Sequence, residues 1–127
     1  MKILIDTQAL FWWYGDPGRL SQSARSIIQQ RDDVIFVSAV TAWELAIKVN
    51  TGKLDALSLV IDFRSFLIAE GFTDLPITVE HAARAGLLPL HHKDPFDRLL
   101  VAQAQEIGIP IVSNDQLFDR YDVKRLW

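Results

Sequence analysis

Cysteine is absent from this chain of 127 residues. The chain therefore forms no disulfide, offers no Cys-based zinc site and has no thiol nucleophile. Histidine is scarce, and two of the three histidines are adjacent, which is not the spacing of zinc ligands. No apolar run approaches the ~18 residues of a membrane span, and the apolar N-terminus meets Asp6 too soon to form a signal-peptide core. We therefore expect one cytoplasmic domain of residues 1–127 with no membrane partner.

Positive charge is also in slight deficit, because 13 Lys and Arg stand against 16 Asp and Glu, a net charge of −3. General nucleic-acid-binding proteins usually carry a basic balance, so this charge at first argues against that class. The acids are unevenly divided into twelve Asp and four Glu. Asp is favoured at caps, turns and metal sites rather than in helix interiors, so the positions of the aspartates are informative.

Short apolar runs alternate with helical stretches along the chain. Strands are predicted at 3–5, 34–37, 72–77 and 109–112, with a fifth, edge strand at 123–126. Helices are predicted from Gln8 onward and at 21–30, 39–50, 57–70, 79–85 and 94 to 106 or 107. Continuous apolar runs separated by helices indicate a parallel sheet that is covered on both faces. The prediction is an α/β fold, a three-layer α/β/α sandwich with a central parallel sheet of four to five strands.

Four acids occur near the predicted carboxyl ends of these strands. Asp6 follows the first strand directly, and Asp115 lies three residues past Val112. Glu44 lies on the helix that leaves the second strand, and Asp97 lies in the first turn of the helix that leads into the fourth. Ligands of open parallel sheets bind outside the carboxyl ends of the strands. The four carboxylates can therefore converge at one edge of the sheet.

Three of these acids also have a structural alternative. Asp6 could cap the helix that follows it, and Asp115 could be a turn residue. Asp97 lies three residues behind Asp94, so it could belong to a capping box. We assign the cap itself to Asp94, because a proline one residue past an Asp is typical of a helix start.

Glu44 is the most informative of the four acids. It falls between Val40 and Ile47, in an apolar stripe that also contains Trp43. The alternative role is an ion pair with Lys48, which contributes only a few tenths of a kcal/mol on an exposed helix. That is a weak reason to place a charge on a buried face, where an unpaired carboxylate is costly.

Carboxylates that lie close together raise one another's pKa and destabilise the fold unless a cation lies among them. Ligands that are all oxygen select hard divalent ions such as Mg²⁺ or Mn²⁺. One ion, or two about 4 Å apart, would activate a water molecule for in-line hydrolysis of a phosphodiester. Without the four acids, 12 acidic residues stand against 13 basic ones, so the net charge no longer argues against a nucleic-acid substrate.

Four segments resemble the PIN domain, and in particular the VapC toxins of bacterial toxin–antitoxin pairs. They are Ile-Leu-Ile-Asp-Thr at 3–7, Trp-Glu-Leu-Ala at 43–46, Asp-Pro-Phe-Asp-Arg-Leu-Leu-Val-Ala-Gln-Ala at 94–104 and Ser-Asn-Asp at 113–115. The resemblance implies a Mg²⁺- or Mn²⁺-dependent endoribonuclease that leaves 5′-phosphate and 3′-hydroxyl ends. It also implies a cognate antitoxin that blocks the site, and a homodimer.

The same resemblance implies roles for individual residues. The catalytic, metal-binding acids fall on four positions: Asp6, Glu44, Asp97 and Asp115. Thr7 and Ser113 are implied to support these carboxylates as hydroxyl donors. The third acid is placed on Asp97 because the Ala-rich helix pattern of the family starts from that Asp.

Several residues beside the acids are candidate RNA contacts. Arg98 is one residue from the third acid and is predicted to touch an RNA phosphate. His91, His92 and Lys93 precede that acid, and they either touch phosphates as well or form an ordinary solvated loop. Gln8 is expected near the mouth of the site.

The aromatic run at 11–14 contains four consecutive large rings on a predicted helix. Four consecutive helical positions cannot all face the core, so at least one ring is expected to be exposed or at an interface. A dimer contact and antitoxin docking both suit such a ring, and the same alternatives apply to Trp127.

Two other functions remain open from sequence. A receiver-like signalling module would bind Mg²⁺ and be phosphorylated on an aspartate, but the third strand ends in Pro-Ile-Thr at 76–78 without a candidate acceptor. A catalytically inactive PIN-fold binding protein is the other alternative, although all four acid positions are filled.

Overall fold

The computed structural model describes residues 1–30 and 32–127. The strands are β1 (Lys2–Ile5), β2 (Val34–Ser38), β3 (Thr73–Leu75), β4 (Ile111–Val112) and β5 (Arg125–Leu126). They form a sheet in the order β3-β2-β1-β4-β5, and every pairing is parallel. The predicted parallel sheet is confirmed, including its fifth strand at the edge.

Helices fill the connections between the strands. They are α1 (Thr7–Gly15), α2 (Gln22–Gln29), α3 (Ala39–Asn50), α4 (Leu57–Ile61), α5 (Phe63–Glu70), α6 (Val79–Leu87) and α7 (Pro95–Ile107), with 3₁₀ helices at Pro17–Arg19 and Gln116–Arg120. The single helix predicted at 57–70 is in fact two. They meet at Asp62, whose backbone is non-helical and which ends α4 and begins α5. Asp competes with the helix backbone for hydrogen bonds and so favours such junctions. Among the described residues, none of these helices is long and apolar enough to cross a membrane.

The two faces of the sheet pack against different helices. In β1, Ile3 and Ile5 belong to one apolar cluster with residues of α1 and α2, while Leu4 belongs to another with residues of α7. Strand side chains point alternately to opposite faces, so one short strand anchors both layers. The predicted three-layer arrangement is therefore confirmed.

The register of the sheet fixes where the loops emerge. Ile5 at the end of β1 pairs with Val37 of β2 and with Val112 of β4. The three strands therefore end side by side, and the residues that follow them share one edge of the sheet. Asp6 and Ser113 come directly after two of these strand ends.

Truncation of Leu4 tests how much the central strand contributes to the stability of the fold. Leu4 is fully buried between β2 and β4, so Leu4→Ala should lower the free energy of unfolding by roughly 2–5 kcal/mol. Leu57→Ala is the matched control, because Leu57 is 57% exposed and its truncation should change stability by less than about 0.5 kcal/mol. Urea denaturation measures both, and equal losses would contradict this account of the core.

Candidate active site

The four predicted acids share one electrostatic neighbourhood at the carboxyl edge of the sheet. The carboxylates of Asp115 and Glu44 both raise the pKa of Asp6, and all three raise that of Asp97. One ligand atom each of His92, Asp97 and Asp115 also lie within 4.8 Å of one another. The four acids therefore lie near one another, as the sequence predicts. Their catalytic roles stay predictions.

Asp6 is buried and also caps a helix. Its Oδ1 accepts a hydrogen bond of 2.7 Å from the backbone N–H of Ala9, and α1 begins at Thr7, one residue earlier than expected. Burial raises the pKa of Asp6 to about 6, although hydrogen bonds from Ser113 and from Ala9 oppose that rise. Asp6 therefore caps α1 while it lies within the cluster of acids, so capping does not exclude the predicted site role.

Asp97 carries the largest pKa shift of the four acids that is resolved. Burial comes first among its causes, followed by Asp94, Glu44, Asp6 and Asp115, and together they raise the pKa to about 7. Asp94 is the helix cap, since its Oδ1 accepts from the N–H of Phe96 at 2.8 Å. No hydrogen bond from the described residues reaches the Asp97 carboxylate, so the capping-box alternative does not account for it.

Glu44 leaves one buried oxygen unsatisfied. Its Oε2 accepts from Lys48 Nζ at 2.7 Å, so the alternative ion pair is present. Its Oε1 is buried without a hydrogen-bond partner in the described part of the chain. A buried carboxylate oxygen without a partner is costly, and a cation would satisfy it. The ion pair therefore accounts for Oε2 of Glu44 but leaves Oε1 without a partner among the described residues.

The surroundings of Glu44 differ from the predicted apolar stripe. Trp43 is 57% exposed and Ile47 is 38% exposed, so neither belongs to the buried face. That face contains Val40, Thr41, Glu44 and Leu45 instead. Trp43 packs edge-to-face on Phe96 at 5.0 Å, which links α3 to the first turn of α7 on the outside of the site.

Asp115 is held from three sides. Its Oδ1 caps the second 3₁₀ helix by accepting from the N–H of Leu117 at 3.0 Å. Its own N–H donates to Ser113 Oγ at 3.0 Å, and its Oδ2 lies 2.9 Å from His92 Nε2. The predicted turn role and the position in the acidic cluster are again combined in one residue.

The two predicted supporting hydroxyls behave differently. Ser113 is buried and contacts both Asp6 and the backbone of Asp115, as its supporting role requires. The Thr7 hydroxyl lies 3.0 Å from the Thr41 hydroxyl instead of bonding to a carboxylate. Thr7 therefore joins α1 to α3 in this structure, which differs from the expected support of the acids.

The predicted RNA contact at Arg98 is wrong. Its guanidinium is buried and donates to the carbonyl oxygens of Ala85, Leu88 and Pro89 at 2.8 to 3.0 Å. These carbonyls lie at and beyond the end of α6, where helical carbonyls lack partners. Arg98 follows Asp97 in α7, and successive helical side chains are rotated by about 100°, so adjacency in sequence did not imply adjacency in the site.

His92 is a further residue whose surroundings the sequence did not predict correctly. It is buried, so neither a phosphate contact nor a solvated loop describes it. Besides its contact with Asp115, its Nδ1 lies 3.2 Å from the hydroxyl of Tyr121. Its neighbour His91 packs its ring edge-to-face on Tyr121 at 4.9 Å. Tyr121 is distant in sequence, and no local pattern linked it to either histidine.

Lys93 and Gln8 are both exposed, and their contact with RNA stays a prediction.

The aromatic run at 11–14 divides as expected between packing and exposure. Trp12 packs against Trp127 at 6.0 Å, and the Trp13 indole N–H donates to Glu70 at 3.2 Å. Tyr14 is exposed although its ring touches Phe66. The prediction that at least one ring remains exposed is confirmed.

The donor atoms fit a hard divalent cation. Four carboxylates supply oxygen, one Glu44 oxygen lacks a partner, and the Asp97 carboxylate accepts no hydrogen bond from the described residues. Oxygen-rich sites of this kind suit Mg²⁺ or Mn²⁺ better than softer metals.

The raised pKa values predict how stability depends on pH in metal-free protein. Because the folded-state pKa of Asp97 is about 7 and that of Asp6 about 6, the folded state binds more protons than the unfolded state between about pH 4 and 7. Stability should therefore fall as the pH rises through that range. Asp97→Asn should reduce the fall and stabilise the protein at pH 8 by at least about 1 kcal/mol, since one pKa unit corresponds to ~1.4 kcal/mol.

Urea denaturation in EDTA between pH 5 and 8 measures this effect. Asp122→Asn is the matched control, because Asp122 is exposed and precedes β5, at the opposite end of the strands from the acids. Its pH profile should follow that of the unaltered chain. A stability that rises with pH would contradict the raised pKa values of Asp6 and Asp97.

Comparisons with known proteins agree with this geometry. The PIN domain family model matches residues 3–124. Ribonuclease VapC22 from Mycobacterium tuberculosis is 34% identical over 117 residues, which cover 90% of this chain and 87% of that protein.

Solved structures share the fold at low sequence identity. VapBC2 from Rickettsia felis, bound to a promoter DNA fragment, superposes with a TM-score of 0.72 at 12% identity over 99% of this chain and 98% of that chain. DNA-bound VapBC from Salmonella typhimurium gives a TM-score of 0.71 at 15% identity over 99% and 97%. These findings confirm the resemblance to VapC toxins in the four segments that contain the acids. The family model and the near full-length relative, together with this fold, show that the chain belongs to the PIN domain family.

Proposed function

We propose that this chain is a divalent-metal-dependent endoribonuclease that acts as the toxin of a toxin–antitoxin pair. The observation that carries the proposal is the set of buried and half-buried, mutually repelling carboxylates at the carboxyl edge of the sheet. Such a set is stable at neutral pH when a cation lies among the carboxylates. The 34% identity to Ribonuclease VapC22 supports RNA as the substrate.

Asp6, Glu44, Asp97 and Asp115 would hold the metal, either Mg²⁺ or Mn²⁺, as one ion or two. When bound, the metal supplies an activated water molecule and stabilises the charge that develops on the phosphate. The protein's own contribution is rigidity. Asp6 and Asp115 are each fixed by the first backbone N–H groups of a helix, so their carboxylates are oriented before substrate binds.

RNA binding without Arg98 must depend on other groups. The guanidinium of Arg98 is bound to carbonyl oxygens, so the scissile phosphate would be attracted to the bound cation, and the exposed Lys93 is a further candidate contact. Binding and cleavage should then both require metal. In-line attack of water on the phosphorus, with cleavage of the P–O3′ bond and departure of the 3′-oxygen, would leave the expected 5′-phosphate and 3′-hydroxyl ends.

An antitoxin partner is the second part of the proposal. The similar structures include VapBC assemblies and a toxin–antitoxin complex from Klebsiella pneumoniae, which shares the fold with a TM-score of 0.64 at 16% identity over 98% of this chain and 96% of that chain. A homodimer is proposed with it, and the exposed Tyr14 is a candidate contact. The receiver-like alternative has lost its support, because the chain belongs to the PIN family. A catalytically inactive PIN-fold protein is the outcome that the next experiment would reveal.

Substitution of single acids should abolish cleavage without loss of fold. Asp6→Asn and Asp97→Asn should each lower the rate of RNA cleavage by roughly 100-fold or more, because each removes a group that positions charge at the reacting phosphate. Cleavage in Mn²⁺ or Mg²⁺ is followed on gels with end analysis, and circular dichroism monitors the fold. Asp122→Asn should cleave normally, and an active Asp6→Asn variant would refute the site.

Metal binding should also stabilise the folded state. An ion that binds only the folded protein at 100 times its Kd adds about 2.7 kcal/mol to the free energy of unfolding. We expect millimolar Mn²⁺ to raise the melting temperature, and Glu44→Gln to reduce that rise, since it changes the carboxylate whose Oε1 lacks a partner. An unchanged melting temperature in the unaltered chain would contradict an assembled metal site.

A further inference from the structure

His92 is enclosed by the 3₁₀ helix at Gln116–Arg120 and by the two residues that cap it. Asp115 is the N-cap, Phe118 lies within the helix and Tyr121 is the C-cap. The His92 ring lies 4.8 Å from Phe118 and stacks parallel to Tyr121 at 5.5 Å, within 9°. Its Nε2 faces Asp115 Oδ2 at 2.9 Å. One short segment therefore provides both the fourth acid and the pocket for the residue that contacts it.

The donors and acceptors around Tyr121 assign the tautomer of neutral His92. The backbone N–H of His92 donates to the Tyr121 hydroxyl oxygen at 2.9 Å. The hydroxyl proton is then directed to Nδ1 of the same residue, 3.2 Å away, so Nδ1 acts as an acceptor. Nε2 consequently carries the proton and donates it to Asp115. The other tautomer would place a lone pair against the carboxylate.

We propose that His92, oriented by Tyr121, is a positioning residue that fixes the Asp115 carboxylate for metal binding. The inference rests on the proposed metal site and adds a residue to it. The Asp115 carboxylate is held at Oδ1 by the Leu117 N–H and at Oδ2 by His92, which prevents rotation. A carboxylate has about four lone-pair sites, so coordination capacity remains.

Direct ligation by His92 is the competing role, because its nitrogen lies 4.0 Å from Asp97 Oδ2 and close to Asp115. Ligation would require Nε2 to lose its proton and would break the bond to Asp115. Both N–H groups of His92 would then have to donate to the single Tyr121 oxygen. The observed network favours donation to Asp115 over donation of a lone pair to a metal.

Paired amide substitutions separate positioning from packing. The Gln side-chain nitrogen can reach the location of imidazole Nε2, whereas the shorter Asn reaches only that of Nδ1. His92→Gln should therefore keep the Mn²⁺ affinity within a few-fold of the unaltered chain. His92→Asn, His92→Phe and Tyr121→Phe should weaken it by roughly 10- to 100-fold, as loss of a partner that orients a metal ligand does.

Electron paramagnetic resonance titration of free Mn²⁺ measures these affinities, with His91→Gln as a control that should bind normally. His91 packs on Tyr121 but makes no hydrogen bond to a carboxylate among the described contacts. Equal losses in the Gln and Asn variants together with lowered melting temperatures would overturn the proposal in favour of a structural role. Unchanged affinity in every variant would also overturn it.

Two spectroscopic measurements test the protonation directly. Nitrogen NMR of the metal-free protein should show the Nε2–H tautomer of His92, and Tyr121→Phe should change it. Spin-echo modulation of the Mn²⁺-loaded protein should show no directly coordinated nitrogen, and a nitrogen coupling that disappears in His92→Gln would refute positioning. If the unaltered chain binds no Mn²⁺, the proposed function itself is refuted. If the chain binds Mn²⁺ but His92 is in the Nδ1–H tautomer, only the positioning role of His92 is refuted.

Discussion

The burial of carboxylates, together with their mutual repulsion, is the constraint on which the organisation of this molecule depends. Burial and neighbouring acids raise the pKa of Asp97 to about 7 and that of Asp6 to about 6, so the charged site opposes folding near neutral pH. The rest of the domain must offset this cost. It does so through a sheet buried on both faces, in which every residue of β1 after Lys2 is inaccessible to solvent.

Two of the four site acids, Asp6 and Asp115, are held in place by backbone groups. Asp6 and Asp115 accept the first N–H groups of the helices that follow them, and Asp94 does the same for α7. A carboxylate at a helix N-terminus is stabilised by those N–H groups and by the helix dipole. The features that make these residues good caps would also orient them as metal ligands, so for Asp6 and Asp115 capping does not compete with the proposed binding role.

The sequence allowed prediction of the parts of the fold that depend on local pattern. Apolar runs gave the strands, and a proline after Asp94 gave the start of α7 correctly. Long-range contacts were not predictable in this way. The burial of Arg98 against the carbonyls after α6, and the pairing of His92 with Tyr121, both join residues from separate elements. Trp43 was placed in the core because periodicity gives the apolar side of a helix but not the side that another element covers.

The position of β1 in the middle of the sheet affects how the protein is made. This strand is made before the other four, and the two strands that pair with it, β2 (Val34–Ser38) and β4 (Ile111–Val112), follow it in the chain. Pairings between residues so distant in sequence form late, because loop closure must be completed first. Asp6 is therefore made long before Asp115. A growing chain that lacks β4 cannot assemble the acidic cluster, so a nuclease of this design would stay inactive until β4 has been made.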